Sequence, residues 1–190
     1  MRITGGNLGG RQLAAPADNR VRPTSDKVRQ AIFNILRHQE YGFALEGAIV
    51  ADLFAGTGAL GLEAISHGAK FCLFVEDAAA SRALIQRNIE SLNLTGVTKL
   101  WRRDATKLGT MTSAAGGPFS LVFLDPPYRK NLVTPALTAL CEGGWLAPGA
   151  LVVVETADDE TVDDEAFEKL DERLYGETRV TFLKRAIASP

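Results

Sequence analysis

The run Asp52-Leu53-Phe54-Ala55-Gly56-Thr57-Gly58-Ala59-Leu60-Gly61 constrains this chain more than any other segment. It follows an apolar stretch that begins at Ile49 and opens a second one that reaches His67 before Gly68. Glycine lets a backbone turn sharply and lets a ligand approach the main chain. Gly56-x-Gly58-x-x-Gly61 therefore predicts the strand, tight turn and helix of a dinucleotide fingerprint. Glu76 lies 20 residues after Gly56, at the expected end of the next strand. A carboxylate there grips ribose hydroxyls.

Strands and helices alternate around this unit. Strands are expected over Ile49–Ala55, Phe71–Glu76, Lys99–Arg103, Ser120–Asp125 and Leu151–Thr156. Helices are expected over Ala59–His67, Ala78–Leu92 and Leu132–Cys141. The strands are near-continuous apolar runs, as expected when helices cover both faces of a parallel sheet. Upstream, Ser25 is a good N-cap and Asp26 suits the positive end of a helix. Val28, Ala31, Ile32, Ile35 and Leu36 then recur at helical spacing, with Lys27, Gln30, Asn34 and Arg37 mostly on the other side. Before that helix, Arg2-Ile3-Thr4 and Arg11-Gln12-Leu13 read as two short extended segments around a glycine-rich turn. Downstream, Glu165–Leu170 is expected to be a short helix or turn. Arg173–Tyr175 and Arg179–Lys184 are expected to be two final strands turning at Gly176. The fold class is α/β, a mostly parallel sheet flanked by helices. Residues 1–22 are expected to form a basic hairpin arm and residues 23–190 the main domain.

With 190 residues, 46% of them hydrophobic, the chain can bury a core without a disulfide or metal staple. Cys72 and Cys141 lie far apart, have no metal-ligand spacing and fit a reducing compartment. Cys72, within an apolar run, is expected to be a small buried hydrophobe. Apolar stretches such as Ala150 to Val154 fall far short of the roughly 20 residues a bilayer span needs. No signal core follows Met1, so a cytoplasmic protein is expected. A monomer without metal or membrane contact is also expected. The net charge of −2 seems to disfavour nucleic acid, but it is uneven. Residues 1–40 carry seven Lys and Arg against three Asp and Glu, net +4, and residues 41–190 carry −6. A basic arm before an acidic body suits local contact with RNA phosphates. The acid-rich stretch from Glu155 to Glu172 is expected to be a solvated face. His38 and His67 are expected at the surface or at helix ends, and Trp101 and Trp145 in packing.

The glycine loop alone does not separate nicotinamide from S-adenosylmethionine, since both carry an adenosine. Asp52 favours the second. A carboxylate there would repel a pyrophosphate, whereas the ammonium of an amino-acid moiety near a sulfonium would prefer it. Asp104-Ala105 follows the third strand and is the third such element in order. Asp125-Pro126-Pro127-Tyr128 ends the fourth strand of the alternating unit. Two prolines remove two backbone donors and stiffen the chain, leaving the Pro126 carbonyl and the Asp125 side chain as fixed acceptors. Tyr128 adds a flat apolar face with a polar tip. That set suits a planar ring bearing an exocyclic amine. A nicotinamide oxidoreductase would leave the tetrapeptide unused. DNA adenine and protein glutamine amines remain chemically possible targets of it.

Asp-x-Phe-x-Gly-x-Gly resembles motif I of class I methyltransferases, and Asp125-Pro126-Pro127-Tyr128 resembles the signature of amino-group N-methyltransferases. Arg2-Ile3-Thr4-Gly5-Gly6, Gly10-Arg11, Arg22-Pro23-Thr24 and Val28-Arg29-x-Ala31-x-Phe33-Asn34-Ile35-Leu36 are similar to segments of the bacterial 16S rRNA (guanine-N2)-methyltransferase family, RsmD. The resemblance runs over nearly the whole chain and is weakest over 157–176. It implies a Rossmann-like class I methyltransferase fold with a seven-stranded sheet and an N-terminal hairpin. It implies methyl transfer from S-adenosyl-L-methionine to the N2 amine of a guanine of 16S rRNA, the family's guanine 966, in the small ribosomal subunit. Asp125, Pro126, Pro127 and Tyr128 would then be catalytic. Asp52, Phe54, Gly56, Thr57, Gly58, Glu76, Asp104 and Ala105 would hold the cofactor. Arg2, Arg11, Arg22 and Arg29 are expected to hold RNA phosphates.

Overall fold

In the computed structural model, residues 1–17, 24–38 and 40–186 are described. The strands are β1 (Ile49–Leu53), β2 (Phe71–Val75), β3 (Thr98–Trp101), β4 (Phe119–Leu124), β5 (Leu146–Ala157), β6 (Phe167–Tyr175) and β7 (Thr178–Arg185). The α-helices are α1 (Asp26–Arg37), α2 (Ala59–Ser66), α3 (Ala79–Ser91) and α4 (Val133–Glu142). The strands form one seven-stranded sheet in the order β3-β2-β1-β4-β5-β7-β6. Neighbours from β3 to β5 pair parallel, and β7 runs antiparallel to both β5 and β6. This is the Rossmann-like arrangement expected.

Side chains alternate across a strand, so each strand feeds two cores. Val50, Phe74, Phe123 and Val153 join the cluster that includes residues of α1, α2 and α3. Leu53, Val75, Val122 and Val154 join the other, with Ala136, Leu137 and Leu140 of α4. Cys72 is fully buried, as expected. Trp101 and Trp145 meet edge to face at 6.2 Å, and the Trp145 indole donates to the Gly109 carbonyl at 2.8 Å. Both are packing residues.

Ser25 caps α1, its side chain accepting from the Val28 N–H. The N-terminal segment makes one antiparallel bridge, Arg2 with Gln12, around a short 3-10 turn at Gly6–Leu8. Ile3 and Leu13 are buried in the α1–α3 core, so the described part of the arm is packed rather than free. Gly5 and Gly6 serve close approach to the end of α2. A Cβ on Gly6 would stand 2.1 Å from the Ser66 carbonyl oxygen, and Gly6 has φ +73°.

Two expectations fail. Most of Glu165–Leu170 is neither helix nor turn, because β6 begins at Phe167. β6 is the sheet edge, where charged residues are tolerated and even favoured. That charge hides the apolar alternation by which strands are read. The acid-rich stretch is also not uniformly solvated. Glu155 is 5% exposed on β5, and the Glu160 carboxylate accepts from the backbone of Arg129 and Ala157.

Candidate active site at the carboxyl edge of the sheet

The strand register lines up the site. Leu53 pairs with Val75 and Leu124, and Val75 pairs with Trp101. The residues that follow these positions therefore emerge along one edge: Phe54 and the glycine loop, Glu76, Asp104 and Asp125. In an open α/β sheet ligands bind in the crevice at this edge.

Asp52 sits within β1, with its side chain on the α2 face. The N-cap of α2 is Gly58, which has no side chain to satisfy the free N–H groups of the first turn. Asp52 Oδ2 accepts the Gly61 N–H at 2.9 Å and does that work from the strand. Asp52 is 1% exposed, and burial pushes its carboxyl up to about 8. The observed partner of Asp52 is thus the helix. Gly61 lets α2 lie close on β2, since a Cβ there would stand 2.5 Å from Cys72 Sγ and from the Phe74 ring.

Glu76 ties the loop down. One of its carboxylate oxygens accepts from the Gly56 N–H at 2.9 Å, the other from the Ala78 N–H at 2.8 Å. Phe54 turns the chain out of β1 with φ 57°, a conformation strained for a bulky residue. The Thr57 carbonyl accepts from Asn88 of α3 at 3.0 Å. At the end of β3, Asp104 accepts from the Thr106 hydroxyl and N–H, which hold its carboxyl below the ordinary range. Ala105 beside it is buried.

The tetrapeptide follows β4. Asp125 is half-buried, Pro126 buried, Pro127 exposed and Tyr128 half-buried. Asp125 Oδ2 accepts from the Thr24 hydroxyl at 2.7 Å. The Tyr128 hydroxyl donates to Glu155 Oε1 at 2.9 Å and lies 3.1 Å from the Thr178 hydroxyl. Burial, then repulsion from Glu155, holds Asp125 well above the usual carboxylate range. Arg129 at the rim pairs with Asp159 at 3.1 Å.

The four expected RNA-contacting arginines fare differently. Arg2 and Arg11 are exposed, with the Arg11 guanidinium donating to the Ser91 carbonyl at 3.0 Å. Arg22 lies outside the described residues. Arg29 is a correction: its side chain is 0% exposed and pairs with the equally buried Glu63 at 3.0 Å. It is not available to a phosphate. Positions 29, 32, 33 and 36 share one helical stripe, and Ile32, Phe33 and Leu36 are core. That spacing was the signal. The exposed cation of the same turn is Lys27, which lines a depression with Arg2 and Gln30. His67 is the C-cap residue of α2, and its ring stacks on Phe33 at 5.2 Å. His38 is exposed at the C-cap of α1.

The family model described as conserved hypothetical protein 95 matches residues 1–184. Ribosomal RNA small subunit methyltransferase D of Escherichia coli (strain K12) is 38% identical over 157 residues, which cover 82% of this chain and 74% of that protein. The chain belongs to the RsmD family. YlbH of Bacillus subtilis (strain 168) is 33% identical over 189 residues, 97% of this chain and 99% of YlbH. Among solved structures, yhhF from Escherichia coli superposes with a TM-score of 0.80 at 32% identity, covering 97% of each chain. Thr24 and Glu155 were not anticipated as part of the site. Thr24 stands inside the family-like segment Arg22-Pro23-Thr24, and Glu155 closes the apolar run of β5. Among the described residues, no group of three His, Cys, Asp or Glu could hold a metal, and no helix is long and apolar enough to cross a membrane.

Proposed function

We propose that this protein transfers a methyl group from S-adenosyl-L-methionine to the exocyclic N2 amine of a guanine in 16S rRNA, with the small ribosomal subunit as substrate. The observation that carries this is the adjacency of β1 and β4. Leu53 and Leu124 pair in register, so the glycine loop and Asp125 leave the sheet side by side. A methyl donor on the loop and an amine on the tetrapeptide would meet there.

The donor set fits the cofactor. Bare glycine backbone, a carboxylate at the end of β2 and another after β3 match a methionine end, a ribose and an adenine in that order. Gly56, Thr57 and Gly58 would carry the methionine end beside Phe54, with Asp52 holding the turn from below. Glu76 would take the ribose, and Asp104 with Ala105 the adenine. When bound, S-adenosylmethionine supplies an electrophilic methyl group on a sulfonium.

The remaining chemistry belongs to the protein. The amine's lone pair is delocalised into the guanine ring and is a poor nucleophile. Asp125 and the Pro126 carbonyl accept its N–H bonds, fix its direction and stabilise the positive charge that develops on nitrogen. Pro127 stiffens the turn. Tyr128 offers its ring to the base, a stacking contact worth about 1–3 kcal/mol in single-strand binders. The guanine must be unpaired or extruded, because the amine cannot meet the donor inside a stacked duplex.

Mass mapping of rRNA from cells with and without the gene tests the assignment. The expected result is one guanine of 16S rRNA that loses a methyl group on deletion and regains it with purified protein. An unchanged 16S rRNA map overturns it. Arg2, Arg11 and Lys27 are expected to supply the exposed phosphate contacts. Three contacts to single-stranded RNA give a log affinity–log salt slope of about −2. Alanine at all three is expected to flatten that slope in a filter-binding titration.

A further inference from the structure

The two functional side chains of the tetrapeptide are held from outside it, Tyr128 by Glu155 and Asp125 by Thr24, whose single hydroxyl proton lies within reach of both carboxylates. Glu155 projects from β5 and is 5% exposed. Its Oε1 accepts from the Tyr128 hydroxyl at 2.9 Å. Its Oε2 lies 3.0 Å from the Thr24 hydroxyl, which also lies 2.7 Å from Asp125 Oδ2. Thr24, 7% exposed, stands just before the N-cap of α1. The Tyr128 hydroxyl is steadied further by Thr178 of β7, which is 4% exposed.

Each bond has a geometric consequence. Asp125 has a two-fold carboxylate that could rotate on its short stem. With Oδ2 bound to Thr24, that rotation is restrained. Tyr128 could swing its ring through wide angles if its tip were loose. Bound to a buried carboxylate and a buried threonine, the ring has one orientation. A half-buried aromatic tip held by two buried groups is more than packing requires, since exposure to water would satisfy it at lower cost.

We infer that Glu155 and Thr24 are positioning residues for amine methylation, orienting Asp125 and Tyr128 through this hydrogen-bond chain. The inference rests on the function proposed above. Both would act through Asp125 and Tyr128. Thr24 also gives the segment leading into α1 a direct hold on the site, so docking of the N-terminal region and alignment of Asp125 are linked. The carboxylates that face Asp125 are Glu155 and, from β1, Asp52.

The test uses the full chain and three variants: Thr24→Val, Thr24→Ser and Glu155→Gln. Purified small subunits lacking the modification serve as acceptor. Displacing a reacting group by about 1 Å costs on the order of 100-fold, so kcat is expected to fall 10- to 100-fold in Thr24→Val and Glu155→Gln. KM for S-adenosylmethionine is expected to stay within about twofold, because the cofactor loop is untouched. Thr24→Ser restores the hydroxyl and is expected to recover most of kcat. Wild-type kcat in Thr24→Val, or no rescue by serine, overturns the inference while leaving the function standing.

A second measurement needs no substrate. Carboxyl carbon NMR of the cofactor-free protein follows the Asp125 titration. Removing the neighbouring charge in Glu155→Gln is expected to lower its midpoint by about one pH unit or more. An unmoved midpoint overturns the link between the two carboxylates whatever the activity. Wild-type protein that methylates no rRNA would instead overturn the function.

Discussion

Asp125→Ala is expected to bind S-adenosylmethionine with wild-type affinity and to lose most of its turnover. The cofactor loop leaves β1 and is braced by Glu76 and Asp52 through hydrogen bonds that do not involve Asp125. Binding should therefore survive. The transition state should not. As the N–C bond forms, the guanine amine gains positive charge, and Asp125 is the charged acceptor fixed against it. Removing one preorganised electrostatic contact of this kind costs about 100- to 1,000-fold in kcat. Single-turnover transfer of labelled methyl to small subunits measures the loss, and calorimetry measures cofactor affinity. Asp125→Asn keeps an acceptor oxygen and is expected to fall between wild type and alanine. Near-wild-type methylation by the alanine variant would remove the tetrapeptide from the mechanism. The pH dependence follows in sign. Asp125 ionises well above the ordinary carboxylate range, so a rate that needs its carboxylate rises with pH through that displaced midpoint.

The second large effect is on stability and is expected at Arg29. Both members of the Arg29–Glu63 pair are fully buried. Arg29 also donates to the carbonyls of Thr24 and Arg2 and to Asp26. Glu63 accepts from the Thr4 hydroxyl at 2.6 Å, from the Gly5 N–H at 2.9 Å and from the Thr4 N–H, and lies 3.4 Å from the His67 ring. The pair thus joins the N-terminal segment, α1 and α2. Arg29→Ala leaves a buried carboxylate without its cation, a change that costs about 3–5 kcal/mol. Against a total of about 5–15 kcal/mol, urea unfolding should show a large fall in midpoint. An unchanged midpoint would show that water reaches Glu63. The pair also sets a pH signature. Glu63 is held down to about 2 by its hydrogen bonds to His67, Thr4 and Arg29, which outweigh its burial, against an ordinary 4.5. A depressed carboxylate stabilises the fold fully above its unfolded value. That stabilisation is therefore present above about pH 4.5 and is lost as pH falls toward 2. Thermal melts between those limits should show the loss in wild type, and a smaller one in Arg29→Ala.

Charge alone made Arg29 look like a phosphate contact. Its helical position said otherwise, because 29, 32, 33 and 36 fall on one stripe. Position overrode charge because Glu63, on another helix, completes the ion pair. Glu155 was obscured in a similar way. It ends an apolar run and begins an acidic one, and only the sheet showed that its side chain turns inward to Tyr128 and Thr24. β6 was obscured for the opposite reason. As an edge strand it carries charge on both sides of Leu170, so no alternation marks it.

What the sequence by itself determined is the set of features that depend on neighbours along the chain. The glycine loop after an apolar strand, the capped start of α1 and the acceptors fixed by two prolines are local consequences of backbone freedom and its loss. Strand and helix alternation was enough to imply the fold class, and the resemblance of the motif segments implied the family. What only the tertiary structure decided is how charged and polar groups far apart in sequence are paired. Arg29 meets Glu63, Glu155 meets Tyr128, and Thr24 meets Asp125 across separations of 34, 27 and 101 residues. A carboxylate has the same formula on a solvated face and in a buried network. Its role depends on desolvation and on the partner brought to it, and both are properties of the packed molecule.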